Sequence, residues 1–254
     1  MNQKPNLIQG QGTPFSAWQC SSELANIPAI TVAELLPPGS RVVIVAPHPD
    51  DEILGCGGLL AQIAHHDVTV RIVAVTDGEG SHSHSADWPV DRLRHERPLE
   101  SRLALHRLGL SLSEVQWTRL HLNDSDVARD EAALVAVLAR CFEASTHVIT
   151  TWREDGHCDH EAVGRACALA AKAKDCQLYE VPVWAWHWAA PGDSRLPWAR
   201  ARKLDLDTDA LVRKRTAIQA HRSQLLPDAS TGAKPILADS TLAHFTQPHE
   251  IFFI

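Results

Sequence analysis

Hydrophobic positions along the chain fall into two alternating patterns, short unbroken runs and longer stripes at helical spacing. The run Arg41-Val-Val-Ile-Val-Ala46 has no polar–apolar alternation and reads as a strand buried on both faces. Pro47 ends it, and His48, Asp50, Asp51 and Glu52 follow at once. Residues 53–66 place Ile53, Leu54, Leu59, Leu60, Ile63 and Ala64 on a helical stripe. A second β-branched run, 67–76, follows, and strand–helix–strand at this spacing predicts a βαβ unit with a parallel sheet. The pattern continues with a helix over 92–108 that starts near Pro98 or kinks there. Next come a strand over 114–122, a helix over 129–142, a strand over 147–152, a helix over 162–173 and a strand over 177–183. Helices over 209–222 and 237–245 and a strand over 250–254 complete it. The expectation is one α/β domain, Rossmann-like, with a mostly parallel sheet flanked by helices.

Residues 1–40 read as an N-terminal extension packed on a main domain of 41–254, because forty residues cannot bury a core of their own. The polar stretch Met1–Gly12 lacks the apolar core of a secretory signal. Gly55-Cys-Gly-Gly58 lies inside a helical stripe rather than in a strand–helix turn. It is therefore a poor dinucleotide fingerprint, and the glycines read as helix–sheet packing. A net charge of -7 argues against a nucleic-acid footprint. No apolar run approaches membrane-spanning length. Six dispersed cysteines without a CxxC pair fit a reduced, cytoplasmic protein.

The chemistry concentrates at two strand-to-helix junctions, where open α/β sheets place their ligands. At the first, His48 and Asp51 suit a divalent metal of the zinc type. Asp50 between them points elsewhere and could serve as a general base for water. The plain alternative is that these acids cap a helix N-terminus. The second junction, Asp155-Gly-His-Cys-Asp-His-Glu161, repeats the arrangement. If the two strands are neighbours, His48, Asp51 and His160 form a three-ligand set with an open position, which is the pattern of a catalytic zinc site. The loop 77–91 leaves the second strand towards the same site, and its His82 and His84 read as solvated. Trp184, Trp186 and Trp188 read as packing, with stacking on a sugar ring as the alternative.

His48-Pro-Asp-Asp-Glu52 together with His157-Cys-Asp-His160 resembles the LmbE-like or PIG-L family of zinc-dependent de-N-acetylases. The likeness runs from about Arg41 to the C-terminus. It is supported by Thr76-Asp-Gly78, Arg97 with Glu100, Leu122-Asn-Asp124, Ser223-Gln224 and Glu250-Ile-Phe-Phe253. Cys158 departs from the proline common in the family. The resemblance implies one Zn2+ or another divalent metal on His48, Asp51 and His160, with Asp50 as base. It further implies His157 as an imidazolium held by Asp159, and substrate contacts from Arg97 and Asp124, the alternative for Arg97 being a structural pair with Glu100. The implied reaction releases acetate and a free amine from a small N-acetylated amino sugar or conjugate, in a chain that such folds often assemble into homo-oligomers. The alternatives are a metal-dependent hydratase on the same scaffold and a non-catalytic sugar-binding protein.

Overall fold

The computed structural model describes residues 6, 8, 10–64 and 66–254. Most of the stretch Met1–Gly12 therefore lies outside the described residues, as does His65, which the sequence pattern assigns to the first long helix. In chain order the elements are α1 (Phe15–Gln19), α2 (Ser22–Ala25), β1 (Ala29–Ile30), α3 (Val32–Leu35), β2 (Arg41–Ala46), α4 (Asp51–Ile63) and β3 (Thr69–Thr76). Then come α5 (Val90–Arg107), β4 (Gln116–Leu122), α6 (Glu131–Cys141), β5 (His147–Thr151), α7 (Cys158–Lys174) and β6 (Gln177–Val181). The chain ends with α8 (Ala185–Trp188), β7 (Ala201–Asp205), α9 (Thr208–Ile218), α10 (Arg222–Leu225), α11 (Asp239–Phe245) and β8 (His249–Phe253).

The eight strands form one sheet in the order β1-β7-β8-β6-β5-β2-β3-β4. β8 runs antiparallel to both of its neighbours, and the remaining pairings are parallel. The unbroken apolar character of β2 follows from its central place. Val42 and Ile44 enter the core on one face, while Val43 and Val45 enter the core on the other. β3 lies on one side of β2 and β5 on the other. The chain thus reverses direction across the sheet at β2, and the carboxyl ends of β2 and β5 open a crevice there. This is one α/β domain, as the sequence pattern predicts. Among the described residues no helix is long and apolar enough to cross a membrane.

Residues ahead of β2 are tied into this body. β1 pairs with β7, Trp18 is buried, and its indole N–H donates to the Trp186 carbonyl at 3.1 Å. β7 is an element that the apolar patterns of the sequence do not predict.

α4 packs closely because of its glycines. A Cβ on Gly55 would come within 2.5 Å of Val181, and one on Gly58 within 2.4 Å of Leu206. The helix also breaks at Cys56, whose φ and ψ are -143° and 22°. In an unbroken helix the Gly58 N–H would bond the Leu54 carbonyl. Here Lys214 Nζ donates to Leu54 O at 2.9 Å, and Glu250 accepts from the N–H groups of Gly58 and Leu59 at 2.6 and 2.8 Å. Lys214 and Glu250 are themselves joined at 2.6 Å, both almost fully buried. One ion pair thus satisfies both sides of the break. Lys214→Met leaves Glu250 a buried, unpaired charge. It is expected to lower unfolding free energy by about 3–5 kcal/mol, read by denaturant unfolding; a loss under 1 kcal/mol would show that the break is held by packing alone.

α5 runs through Pro98 without stopping. Proline leaves the carbonyl four residues earlier without its helical partner. Arg119 Nη2 supplies one, donating to Arg94 O at 3.3 Å.

Candidate metal centre

Each polar cluster straddles the start of a helix: His48 and Asp155 lie in the turns ahead, Asp50 and His157 are the N-cap residues, and Asp51, Glu52 and Cys158–His160 fall on the first turns. α4 begins at Asp51 and α7 at Cys158, earlier than the apolar stripes suggest. The β2–β5 pairing, with Val45 opposite Thr150, brings the two turns together.

Three donor atoms converge. His48 Nδ1 lies 3.3 Å from Asp51 Oδ2, His160 Nε2 lies 3.2 Å from the same oxygen, and the two nitrogens are 3.3 Å apart. A tetrahedral zinc site with bonds of about 2.0–2.1 Å has edges of about 3.3 Å. The triangle therefore has the size of one face of such a site. His157 places a third ring nitrogen within 4.8 Å of those of His48 and His160.

Carboxylates behind the triangle fix both rings. His160 Nδ1–H donates to Asp155 Oδ2 at 2.8 Å. His48 Nε2–H donates to Asp159 Oδ2 at 3.0 Å, with Asp124 Oδ1 at 3.4 Å. In each ring the nitrogen facing the triangle is left with a lone pair, the arrangement that metal-binding histidines require. Asp155 is fully buried and also accepts from the N–H groups of Val183, Trp184 and Ala185, each at 2.9 Å. Sequence reasoning missed its role. The signal was an acid just ahead of a candidate ligand histidine, which needs an outer acceptor.

The electrostatics are those of a site built for positive charge. Burial opposes protonation of His48, yet Asp124, Asp159 and Asp51 outweigh it and raise its pKa well above the ordinary value. Burial likewise opposes the charge on His160, but Asp51 and Asp155 lift it to about 9. Asp51 is held far below the usual carboxylate range by His160 and His48 against its burial. A dication bound to the two lone-paired nitrogens and Asp51 would supply the positive charge that these carboxylates favour. The residues fit a zinc-type ion.

Asp50 stands beside the triangle in a conformation that L residues rarely adopt, φ 149° and ψ -27°. Such strain persists only where neighbours enforce it. Here Glu52 Oε2 accepts the Asp50 N–H at 3.1 Å, and Arg97 Nη2 donates to Asp50 Oδ2 and to Pro49 O, each at 3.0 Å. Burial pushes the Asp50 carboxyl up to about 7; Arg97 opposes this and Asp51 adds to it.

Arg97 lines the cavity above the triangle, but its guanidinium bonds Asp50, Pro49 O and Gly78 O. It does not pair with Glu100, which instead accepts from Ser223 N and Oγ. The expected hold of Asp159 on the His157 ring is also absent. The Asp159 carboxylate takes His48 and the N–H groups of Ser125 and Val127, while its own backbone N–H donates to His157 Nδ1 at 3.3 Å. Nor is His157 an imidazolium at neutral pH: burial and the charges of His160 and His48 lower its pKa to about 4. Its Nδ1 accepts, so Nε2 carries the hydrogen. Asp124 accepts from Gly80 N at 2.9 Å and also lines the cavity.

The cavity has a volume of about 220 Å3. Leu54, Val183, Trp184, Ile236 and Leu237 form its apolar side, and Ser81, Asp124, Ser125 and Gln224 its polar side. The tryptophans divide: Trp184 lines the cavity, Trp186 packs edge-on against Trp18, and Trp188 stacks on Trp152. Ser230, in the segment between α10 and α11, bonds to the loop 77–91, its Oγ accepting from Ala86 N at 2.9 Å and donating to Asp228 at 2.7 Å.

Residues 43–171, just over half of the chain, match the family model described as PIG-L: GlcNAc-PI de-N-acetylase. The chain belongs to the PIG-L family. Among named relatives, it is 30% identical over 148 residues to the uncharacterized deacetylase YaiS of Escherichia coli K12, covering 56% of this chain and 74% of that one. It is 30% identical over 165 residues to the 1D-myo-inositol 2-acetamido-2-deoxy-alpha-D-glucopyranoside deacetylase of Rhodococcus jostii RHA1, covering 55% of this chain and 56% of that one. The match thus spans little more than half of the latter relative. In fold, the chain is similar to the zinc inhibited form of teicoplanin deacetylase Orf2, with TM-score 0.57 and 18% identity over 84% of this chain and 97% of that one. It is also similar to N,N'-diacetylchitobiose deacetylase from Pyrococcus horikoshii, with TM-score 0.56 and 19% identity over 73% and 70%.

Proposed function

We propose that the protein is a metal-dependent N-deacetylase that hydrolyses the acetamide of a small amino sugar or its conjugate, releasing acetate and a free amine. The observation that carries this reading is the triangle of His48 Nδ1, Asp51 Oδ2 and His160 Nε2, with edges of 3.2–3.3 Å, beside the clamped Asp50. Family membership and the deacetylases among its relatives support the amide as the bond attacked.

His48, Asp51 and His160 would hold the ion, zinc by donor set and size. Such an ion supplies a Lewis acid that polarises the amide carbonyl and acidifies water. Asp50 accepts a proton from the attacking water as general base. Arg97 and Glu52 keep its carboxylate aimed and its strained backbone in place. His157 donates a hydrogen bond from Nε2 to the carbonyl oxygen as negative charge develops there. Asp155 and Asp159 orient the rings of His160 and His48. Asp124, Ser81 and Gln224 offer partners to sugar hydroxyls, and the apolar wall receives a ring face.

The test is acetate release from a panel of N-acetylated amino sugars, with N-acetyl amino acids as controls. Acetate from the sugars supports the reading; turnover of the amino acids alone would assign a different substrate class. Asp155→Asn, which weakens the acceptor behind His160, is expected to reduce metal affinity about 10–100-fold. Competition with a chelator reads this, and unchanged affinity would remove Asp155 from the site's machinery.

A further inference from the structure

A second group of donors lies beside the metal triangle. His157, Cys158 and Asp159 each offer one ligand atom, and the three atoms lie within 4.8 Å of one another. Cys158 Sγ is 3.8 Å from Asp159 Oδ1. In a tetrahedral zinc site with one sulfur ligand that edge is about 3.5 Å, so a small shift of the thiol closes it. Cys158 is exposed, which gives an ion a path from solvent.

Charge argues the same way. The carboxylates of Asp50, Asp51, Asp124, Asp155 and Asp159 are bonded within this centre, and among the described residues Arg97 is the one permanent cation bonded there. With one dication held by neutral histidines, two negative charges remain. Asp124 and Asp159 carry them, on the side of His48 away from the triangle. A thiolate beside a carboxylate and an imidazole is a soft donor set, and it selects zinc-like ions over magnesium or calcium.

The geometry points to a second, inhibitory site for a thiophilic dication on His157, Cys158 and Asp159. This extends the catalytic reading above and rests on it for its effect on turnover. Binding takes a proton from the Cys158 thiol and releases it to solvent, with no change of oxidation state. It also ties up His157, whose ring lies 4.8 Å from that of His48. The ion takes the lone pair of Nδ1 in place of the Asp159 N–H, so the ring must shift and its Nε2–H no longer lines up with the substrate oxygen.

Protein loaded with one equivalent of Zn2+ is titrated with Cd2+. Bound zinc and cadmium are counted by equilibrium dialysis, and the ultraviolet charge-transfer band of a cadmium–thiolate is followed. The expected result is one cadmium bound in addition to the zinc, a thiolate band rising with it, and acetate release falling in parallel. Cys158→Ala is expected to keep its zinc and its basal activity while losing the second equivalent, the band assigned to it and the inhibition. Cys158→Ser, with its harder oxygen, is expected to behave as the alanine variant does. Replacement of zinc by cadmium without a net second equivalent overturns the inference. So does a Cys158→Ala protein that binds the second equivalent as the wild type does. Loss of the first equivalent in His160→Ala tests the catalytic reading separately, so the two failures are distinguishable.

Discussion

His160→Ala is expected to lose the bound cation and hydrolysis together. His160 Nε2 is one corner of the donor triangle, and the ring is fully buried. Two ligands remain in its absence, His48 and Asp51, too few for a structural or catalytic zinc site. Loss of a partner behind a ligand already costs about 10–100-fold in affinity or activity, so loss of the ligand itself should exceed that. The protein should still fold. Asp155 keeps its three backbone donors from Val183, Trp184 and Ala185, so the carboxylate freed by the substitution is not left unpaired. Elemental analysis of wild type and variant, purified without added metal, gives the primary readout. About one zinc per chain in the wild type and none in the variant is the expected pair of values. A variant that retains the metal would move the ligand set away from His160.

The candidate ligands stand out in the sequence because their positions follow from simple rules. β2 and β5 are central strands with apolar side chains facing both layers, so their sequences carry unbroken β-branched runs. Polar residues placed at once after such runs must lie at the sheet's carboxyl edge. What could not be read was which acid serves which ring. Asp159 lies next to His157 and Cys158 in sequence, but its first-turn position on α7 aims it across the crevice at His48. Asp155 draws its backbone partners from a segment 28–30 residues further on. Arg97 seemed free for substrate because its bonds to Pro49 O and Asp50 are long-range. β7 was hidden for another reason. Arg202 and Lys203 place long charged side chains on a strand of five residues near the sheet's edge. Their alkyl stems can cover apolar surface while the heads stay wet, so the polar–apolar alternation is lost. The break in α4 also left no local mark, since its cure comes from Lys214 and Glu250 on other elements.

Asp50→Asn is expected to keep the metal and lose most of the turnover. The amide matches the carboxylate in shape and can still accept from Arg97, but it cannot take a proton from water. General-base catalysis contributes about 10²–10⁴-fold, and kcat should fall by that order with KM little changed. A variant that loses the metal as well would make Asp50 a ligand and leave the reaction without this base. The pH profile separates the base from its clamp. Asp50 acts as the carboxylate, and burial sets its pKa at about 7, so activity should fall as pH drops through the value that applies with the ion bound. That value lies below the one without the ion, because a nearby dication favours the charged form. Arg97 favours the same form. Arg97→Met therefore removes a stabiliser of the carboxylate, raises its pKa and moves the acid limb of the profile to higher pH. Arg97→Lys, which keeps the positive charge but not the fork that also holds Pro49 O and Gly78 O, should lower kcat while moving the limb less. An acid limb that stays fixed in Arg97→Met would assign it to a group other than Asp50.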